Sequence, residues 1–270
     1  LKKINYKKLL VTVLWVIAIA GLTSSLAFVS KSEKEVVVKD LNITIHNNDE
    51  NLFLTENDVK DFLASRNEHL VSNTYRNINI PQLEKVLNAH PAIENAEVSG
   101  DMNGEIRINI LQRTPVCRVI NVDGESYYID SQSKLMPLNE NYSARVVVAS
   151  GNITEPYARR YQFSVDEIKA NKIFSEVSIL DDVLDVVKQI NADSTLSALI
   201  HQVYVNEEKE LELFPAIGDH KIVFGKAEFI TEKFNKLKLF YTEGLNKSDS
   251  WTKYSTINLK YKNLVVCTKK

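Results

Sequence analysis

Histidine is the residue most often recruited to ligate metals or shuttle protons near neutral pH. This 270-residue chain has five, His46, His69, His90, His201 and His220, and none stands in an H-E-x-x-H or other metal-ligand spacing. His90 precedes Pro91, where capping or surface exposure is the expected role. No G-x-S-x-G nucleophile elbow exists. Gly225-Lys226 is followed by Ala227 and lacks the upstream glycine of a phosphate loop. Asp181-Asp182 and Glu207-Glu208 pair carboxylates, but their ordinary readings are a helix N-terminus and a turn. The two cysteines, Cys117 and Cys267, could join in an oxidising compartment, but nothing in their spacing shows that they do, and two separately buried thiols are expected. The residues thus predict no catalytic group, no cofactor site and no metal site.

Binding is where the pattern has positive content. Near the end, Ile257, Leu259 and Tyr261 alternate with Asn258, Lys260 and Lys262, which predicts one last strand within Tyr254 to Val266. A terminal strand offers unpaired N–H and C=O groups along its free side. Strand addition by another chain is then the natural mode of recognition. Ile257 and Leu259 read as core residues. Lys260, Tyr261 and Lys262 are the candidate partner-binding residues, because tyrosine presents a rigid apolar ring with a polar tip.

The other end says where such an edge would work. Leu9 to Val29 is an uncharged apolar run of 21 residues, roughly 31 Å as a helix, enough to cross a bilayer core. Lys2, Lys3, Lys7 and Lys8 precede it, while Lys31, Glu33, Lys34 and Glu35 cancel after it. Positive charge stays inside. The expectation is a single-pass inner-membrane protein with a cytoplasmic N-terminus and about 240 residues outside, contacting the lipid bilayer through residues 9–29. A cleaved signal peptide is the competing reading, since Ala18-Ile19-Ala20 fits a small-x-small site, but the run continues apolar through Leu22, Leu26, Phe28 and Val29. Net charge is −2 with 25% charged residues, and no basic stripe points to nucleic acid.

Between the two ends the periodicities build an α+β protein. Leu41, Ile43 and Ile45 alternate as a first strand. Thr55 is a helix N-cap ahead of Val59, Phe62 and Leu63. Asn79 and Pro81 open a second helix carrying Leu83, Val86 and Leu87, ended by His90-Pro91. Ile93 to Val98 and Ile106 to Ile110 flank Asp101-Met102-Asn103-Gly104, a hairpin signal. The order β-α-α-β-β predicts two helices on one face of a three-stranded sheet. After Pro115 come strands at 116–122, 126–129, 145–149, 200–205, 211–214 and 221–224. Helices are expected near 182–190 and 227–241, with a polar region at 151–175. This second part reads as a mixed antiparallel β domain with flanking helices.

Taken in order, these features resemble the FtsQ/DivIB family of bacterial cell-division proteins. Leu83-x-x-x-Leu87-x-x-His90-Pro91-x-Ile93-x-x-Ala96-x-Val98 is similar to the helix-to-strand signature of that family's polypeptide-transport-associated (POTRA) module. Ile106-x-Ile108-x-Ile110-x-x-Arg113-x-Pro115 resembles the strand leaving it. Tyr128-Ile129-Asp130, Met136-Pro137-Leu138 and Val147 to Gly151 resemble the next strands. Gly225, Lys236-Leu237 and Ile257-x-Leu259-Lys260-Tyr261 match the last strand–helix–strand segment, with Lys260 where an arginine is common. The stretch Tyr157 to Ile179 carries no signature of the family.

The resemblance implies a cytoplasmic stub at 1–8, a transmembrane helix at 9–29, a spacer at 30–35, a POTRA-like domain at 36–115 and a β domain at 116–270. It assigns Pro91, Ile93, Ala96, Val98, Arg113, Pro115, Asp130 and Gly225 to structural motif positions. It implies a non-catalytic divisome scaffold whose last strand receives partner division proteins of the FtsB/FtsL type. The alternative is a membrane-anchored POTRA-type transport or assembly factor. Such factors usually carry several modules or a barrel, whereas one module is read here and no array of barrel strands.

Overall fold

The computed structural model describes residues 14–21, 23, 36–46, 53–68, 70–101, 103–139, 142–155, 163–247 and 251–270. Two compact units emerge, one including 54–112 and one comprising 47–53 with 113–270. Most of the apolar run at 9–29 lies outside the described residues. Within it residues 14–21 are helical, with Leu14, Trp15, Val16, Ile17 and Ile19 exposed. Among the described residues no helix is long and apolar enough to cross a membrane.

The first unit follows the β-α-α-β-β order: β1 (Asp40–His46), α1 (Glu56–Ser65), α2 (Ile80–Asn88), β2 (Ile93–Gly100) and β3 (Glu105–Gln112). The sheet order is β1-β3-β2, with β1 parallel to β3 and β2 antiparallel to it. Alternation dictates which side chains are buried. Ile106, Ile108 and Ile110 are fully enclosed, as are Val59, Leu63, Leu83 and Leu87 of the helices. Thr55 and Asp58 form a reciprocal capping box at α1, and Asn79 caps α2. Ile93, Ala96 and Val98 are buried along β2, while Pro91 is exposed just before it. His90 is neither a bare cap nor exposed. Its ring packs edge-on against Phe62 at 4.7 Å, and its Nδ1 accepts from the Ala92 N–H at 3.2 Å. The polar connection at 67–77 contains a 3-10 turn, Tyr75–Asn77. Tyr75 lies so close to Gly100 that a Cβ there would meet its ring at 2.5 Å.

The second unit is a nine-stranded sheet. Its strands are β4 (Pro115–Ile120), β5 (Ser126–Asp130), β6 (Leu135–Pro137), β7 (Val147–Gly151), β8 (Ile200–Val205), β9 (Leu211–Pro215), β10 (Lys221–Gly225), β11 (Tyr254–Asn258) and β12 (Val266–Lys269). Its helices are α3 (Val165–Ala170), α4 (Lys172–Ser175), α5 (Leu180–Asn191), α6 (Ser194–Leu199) and α7 (Ile230–Leu239), the last continuing into a π-helical turn, Phe240–Asn246. The strand order is β12-β11-β10-β9-β8-β7-β4-β5-β6. The sheet is mixed: β4/β7, β7/β8 and β10/β11 are parallel, and the other neighbours antiparallel. Alternate residues of its strands, among them Cys117, Ala149, Val203, Leu213, Ile222 and Ile257, join Val183, Val187, Phe234 and Leu237 in one core. Cys117 sits inside that core, where burial pushes its thiol up to about 12. It is not bridged to Cys267.

The region at 151–175 is less loop-like than its polarity suggests. Ser164 and Glu167 make a second capping box, and α3 buries Val165 and Ile168. The unit's entry is pinned by charge. Arg113 donates to Asp130 at 2.6 Å, with side chains 8% and 1% exposed. The other carboxylate oxygen accepts the N–H groups of Gln132 and Lys134, and Pro115 lies opposite Asp130 in the β4/β5 ladder. One buried ion pair thus ties the segment entering β4 to the end of its neighbour β5.

Two substitutions check this reading. Ile108→Asp buries an unpaired carboxylate and should cost at least about 3 kcal/mol, seen as loss of hydrogen-exchange protection from β1 to β3. Arg113→Met leaves Asp130 buried without its cation and should cost about 3–5 kcal/mol in urea unfolding. Unchanged protection or an unchanged midpoint would contradict the respective placement.

Candidate partner-binding edge

Among the described residues strand β12 has a single neighbour, β11, in the register Tyr254↔Lys269, Thr256↔Thr268, Ile257↔Cys267 and Asn258↔Val266. The segment Tyr254 to Val266 is therefore not one strand. It is a strand, a tip and the start of a return strand. Lys260, Tyr261 and Lys262 belong to the tip instead of the last strand. The physical reason is Asn263, which takes a left-handed φ of 63° that a short polar side chain tolerates and a continuing strand would not. The alternation remains real as far as Leu259, which is fully buried and whose N–H still bonds the Val223 carbonyl. Tyr261, two residues on, is 54% exposed.

Three contacts fix the tip. Gly225 has φ 75°, and a Cβ there would meet Lys260 Cγ at 2.8 Å, so the glycine lets the lysine stem cross the end of β10. Lys260 Nζ then reaches both carboxylate oxygens of Glu210 at 2.7 Å. From the helix side, Lys236 Nζ donates to the carbonyls of Leu259 at 3.1 Å and Tyr261 at 2.6 Å. These bonds satisfy backbone acceptors that the hairpin ladder leaves open.

Between the tip and α7 lies a groove of about 580 Å³. Phe229 stands at its mouth, 66% exposed, with a left-handed φ of 53° that a bulky side chain rarely adopts. Leu239 lines it as well and is exposed, and Leu264 and Val266 are exposed farther along the hairpin. Lys233, Lys236, Lys260 and Lys262 line the groove against Glu228 and Glu232. Lys233 was not legible as a site residue from charge alone. Its spacing could have revealed it, because position 233 falls on the same helical face as Ile230 and Leu237.

The base of the hairpin is held by aromatic packing. His220 is buried, its Nε2 lies 2.9 Å from the Tyr241 hydroxyl, and Trp251 packs on both rings. Lys270 bonds Asp219 at 2.7 Å, and its N–H reaches the Lys253 carbonyl. Burial lowers the proton affinity of His220 most. The Trp251 carbonyl and Asp219 act the other way, while Lys270 adds to the lowering. Tyr241 is raised by burial and stays neutral.

The remaining motif residues are not gathered at this edge. Pro91, Ile93, Ala96 and Val98 belong to the first unit, Pro115 and Asp130 to β4 and β5 at the far side of the sheet order, and Arg113 to the segment just before β4. Only Gly225 joins Lys260, Tyr261 and Lys262. Among the described residues no group of three or more His, Cys, Asp or Glu is placed to hold a metal ion.

A family model described as FtsQ/DivIB, C-terminal related, matches residues 114–268, more than half of the chain. A model described as POTRA-like domain matches residues 36–111. No curated protein matches the chain.

The buried histidine gives a pH test. Because burial holds its folded value below the ordinary 6.5 or so, its contribution is complete above that value and is lost as pH falls below it, where the unfolded chain binds the proton more readily. His90 is shifted the same way. The urea midpoint followed by Trp251 fluorescence, in a Trp15→Phe background, should therefore drop from pH 7.5 to 5.5. His220→Gln should drop less; equal drops would show that His220 is not the sensing group.

Proposed function

The chain belongs to the FtsQ/DivIB family, and from that premise we propose that it is a non-catalytic division scaffold. In this reading the run at 9–29 anchors it in the inner membrane, N-terminus inside, and both units work on the outer side. The free edge at β12 receives partner proteins of the FtsB/FtsL type, small coiled-coil proteins that cross the membrane once, and links them to septal peptidoglycan synthesis. The POTRA-like module contacts further division membrane proteins.

One observation supports the edge above all. β12 is a short strand with its outer side unpaired by any described strand; its first residue Val266 is exposed, as are Tyr261 and Leu264 just before it. Such an edge can accept a strand, with main-chain hydrogen bonds supplying affinity and alternate side chains specificity. Confinement to one membrane raises the effective concentration of the partner, so a four-residue edge suffices where free proteins would need more surface.

The test uses full-length tagged protein from gently solubilised membranes. FtsB/FtsL-type chains should co-purify with it. Backbone donors along an edge strand alternate between inward and outward, so of Cys267→Pro and Thr268→Pro one removes an outward N–H and the other an inward one. The outward variant should keep the wild-type circular dichroism spectrum, lose the partner and fail to support division in a depleted strain. Two folded proline variants that both retain the partner would move the binding surface away from β12.

A further inference from the structure

The first unit begins close to the apolar run. Residues 30–35 alone separate Val29 from Val36, a stretch that reaches at most about 25 Å when fully extended. The chain then enters the unit along a short antiparallel pairing. The Tyr75 N–H donates to the Val36 carbonyl at 3.1 Å, the Val38 N–H to the Asn73 carbonyl at 2.8 Å, and the Ser72 N–H to the Val38 carbonyl at 2.8 Å. Val38 is buried, but Val37, opposite Thr74, is 45% exposed, and Val71, next to Ser72, is 52% exposed. Each exposed valine thus adjoins one end of the Ser72–Val38 hydrogen bond. Beside Val71 a cleft of about 350 Å³ continues the apolar surface through Leu41, Leu63 and Leu70. Lys39 and Arg76 stand on the same two segments. Both are exposed, and among the described residues neither is in an ion pair. An isolated exposed valine is ordinary on a protein surface, but here two meet where the chain arrives from the apolar run.

A tethered surface needs little affinity of its own, because the tether sets its effective concentration. We propose that this corner of the first unit is a lipid-contacting surface, in which Val37 and Val71 sit at the headgroup boundary while Lys39 and Arg76 reach the phosphates. The proposal rests on the reading of residues 9–29 as a membrane anchor. It adds a second point of contact, which holds the unit in one orientation on the outer face of the bilayer. The length of the tether decides the occupant, since the corner stays within reach of the bilayer surface whatever other proteins are present. Charge agrees with it. Lysine and arginine lay their stems along apolar surface and extend a charged end, and phosphate oxygens accept from that end in short, strong hydrogen bonds. Around the cleft, Asp40, Lys60 and Glu68 carry both signs, as do headgroups that join a phosphate to an ammonium.

The experiment uses the full chain in vesicles of phosphatidylethanolamine and phosphatidylglycerol, with a nitroxide on one introduced cysteine at a time. A Cys267→Ser background leaves Cys117, which is buried beyond the label's reach. Val37→Cys and Val71→Cys place the label on the proposed surface. Asn95→Cys is the control. Asn95 is exposed and pairs opposite Leu111, roughly 23 Å along β3 from Gly104, whose carbonyl takes the Lys39 N–H. The ratio of accessibility to oxygen over accessibility to a water-soluble nickel chelate should be several-fold higher at positions 37 and 71 than at 95. Val37→Glu, read through the label at position 71, should bring that ratio down toward the control. A chain that stays with the vesicles through an alkaline carbonate wash, yet gives one ratio at all three positions, would overturn the lipid contact and leave the anchor reading intact. A chain released by the wash would overturn the anchor reading and the contact with it.

Discussion

An open sheet of nine strands has two edges, and the backbone groups along each must meet water or protein. The two edges of this sheet are treated differently. At one end β6 has only three residues, ends in Pro137 and is followed by exposed Leu138. The adjoining Lys134 bridges to Ser164, so α3 begins against that edge. A short strand closed by proline is a poor template for another chain. At the other end β12 carries neither a proline nor a covering helix among the described residues. The asymmetry gives the unit one usable edge, and the partner-binding argument follows from it.

The parts of the fold that were readable in the sequence are those where local pattern and tertiary packing agree. Ile106, Ile108 and Ile110 alternate, the turn at 101–104 has an Asn-Gly pair, and the three isoleucines are completely enclosed. Strands 200–205, 211–214 and 221–224 fall almost where their apolar residues place them. The misses have physical causes. Ser164-x-x-Glu167 is a capping-box signature, but the six-residue helix it opens is too short to show a full apolar period. Asp193 caps another six-residue helix, Ser194–Leu199, that escaped for the same reason. The strand Val147–Gly151 begins two residues later than the expected start at Arg145, because its parallel pairing with β4 starts at Cys117↔Val147.

The sequence pattern put Lys260, Tyr261 and Lys262 in a last strand, whereas they lie in the tip before it, because alternation beyond Leu259 is carried by a turn. Period-2 patterning reports which way side chains point and cannot distinguish a strand from an extended approach to a tip. Asn263 was the available signal, since asparagine is enriched where the chain turns through a left-handed conformation. Lys233 illustrates the converse limit. Charge argued for solvent while its helical position argued for the core, and position prevailed because its stem could lie across Phe224 with the ammonium turned toward a carbonyl and the groove.

The hairpin that carries β12 is restrained at both ends and bare along its outer side. At the tip, Gly225 admits the Lys260 stem and Lys236 holds two carbonyls. At the base, Trp251 packs on His220 and Tyr241 while Lys270 reaches Asp219. Receiving a strand costs the conformational entropy of whatever is ordered on binding, and a preformed edge has already lost most of its share on folding. The arrangement therefore places the remaining ordering cost on the partner. It also makes the two anchors unequal in chemistry. The tip is held by lysine side chains bonded to carbonyls and to Glu210, whereas the base depends on a buried histidine whose proton affinity burial lowers and which acid therefore opposes. Acid should loosen the hairpin from its base while the tip still holds, so the edge would fray from Lys269 toward Val266 rather than detach as a unit.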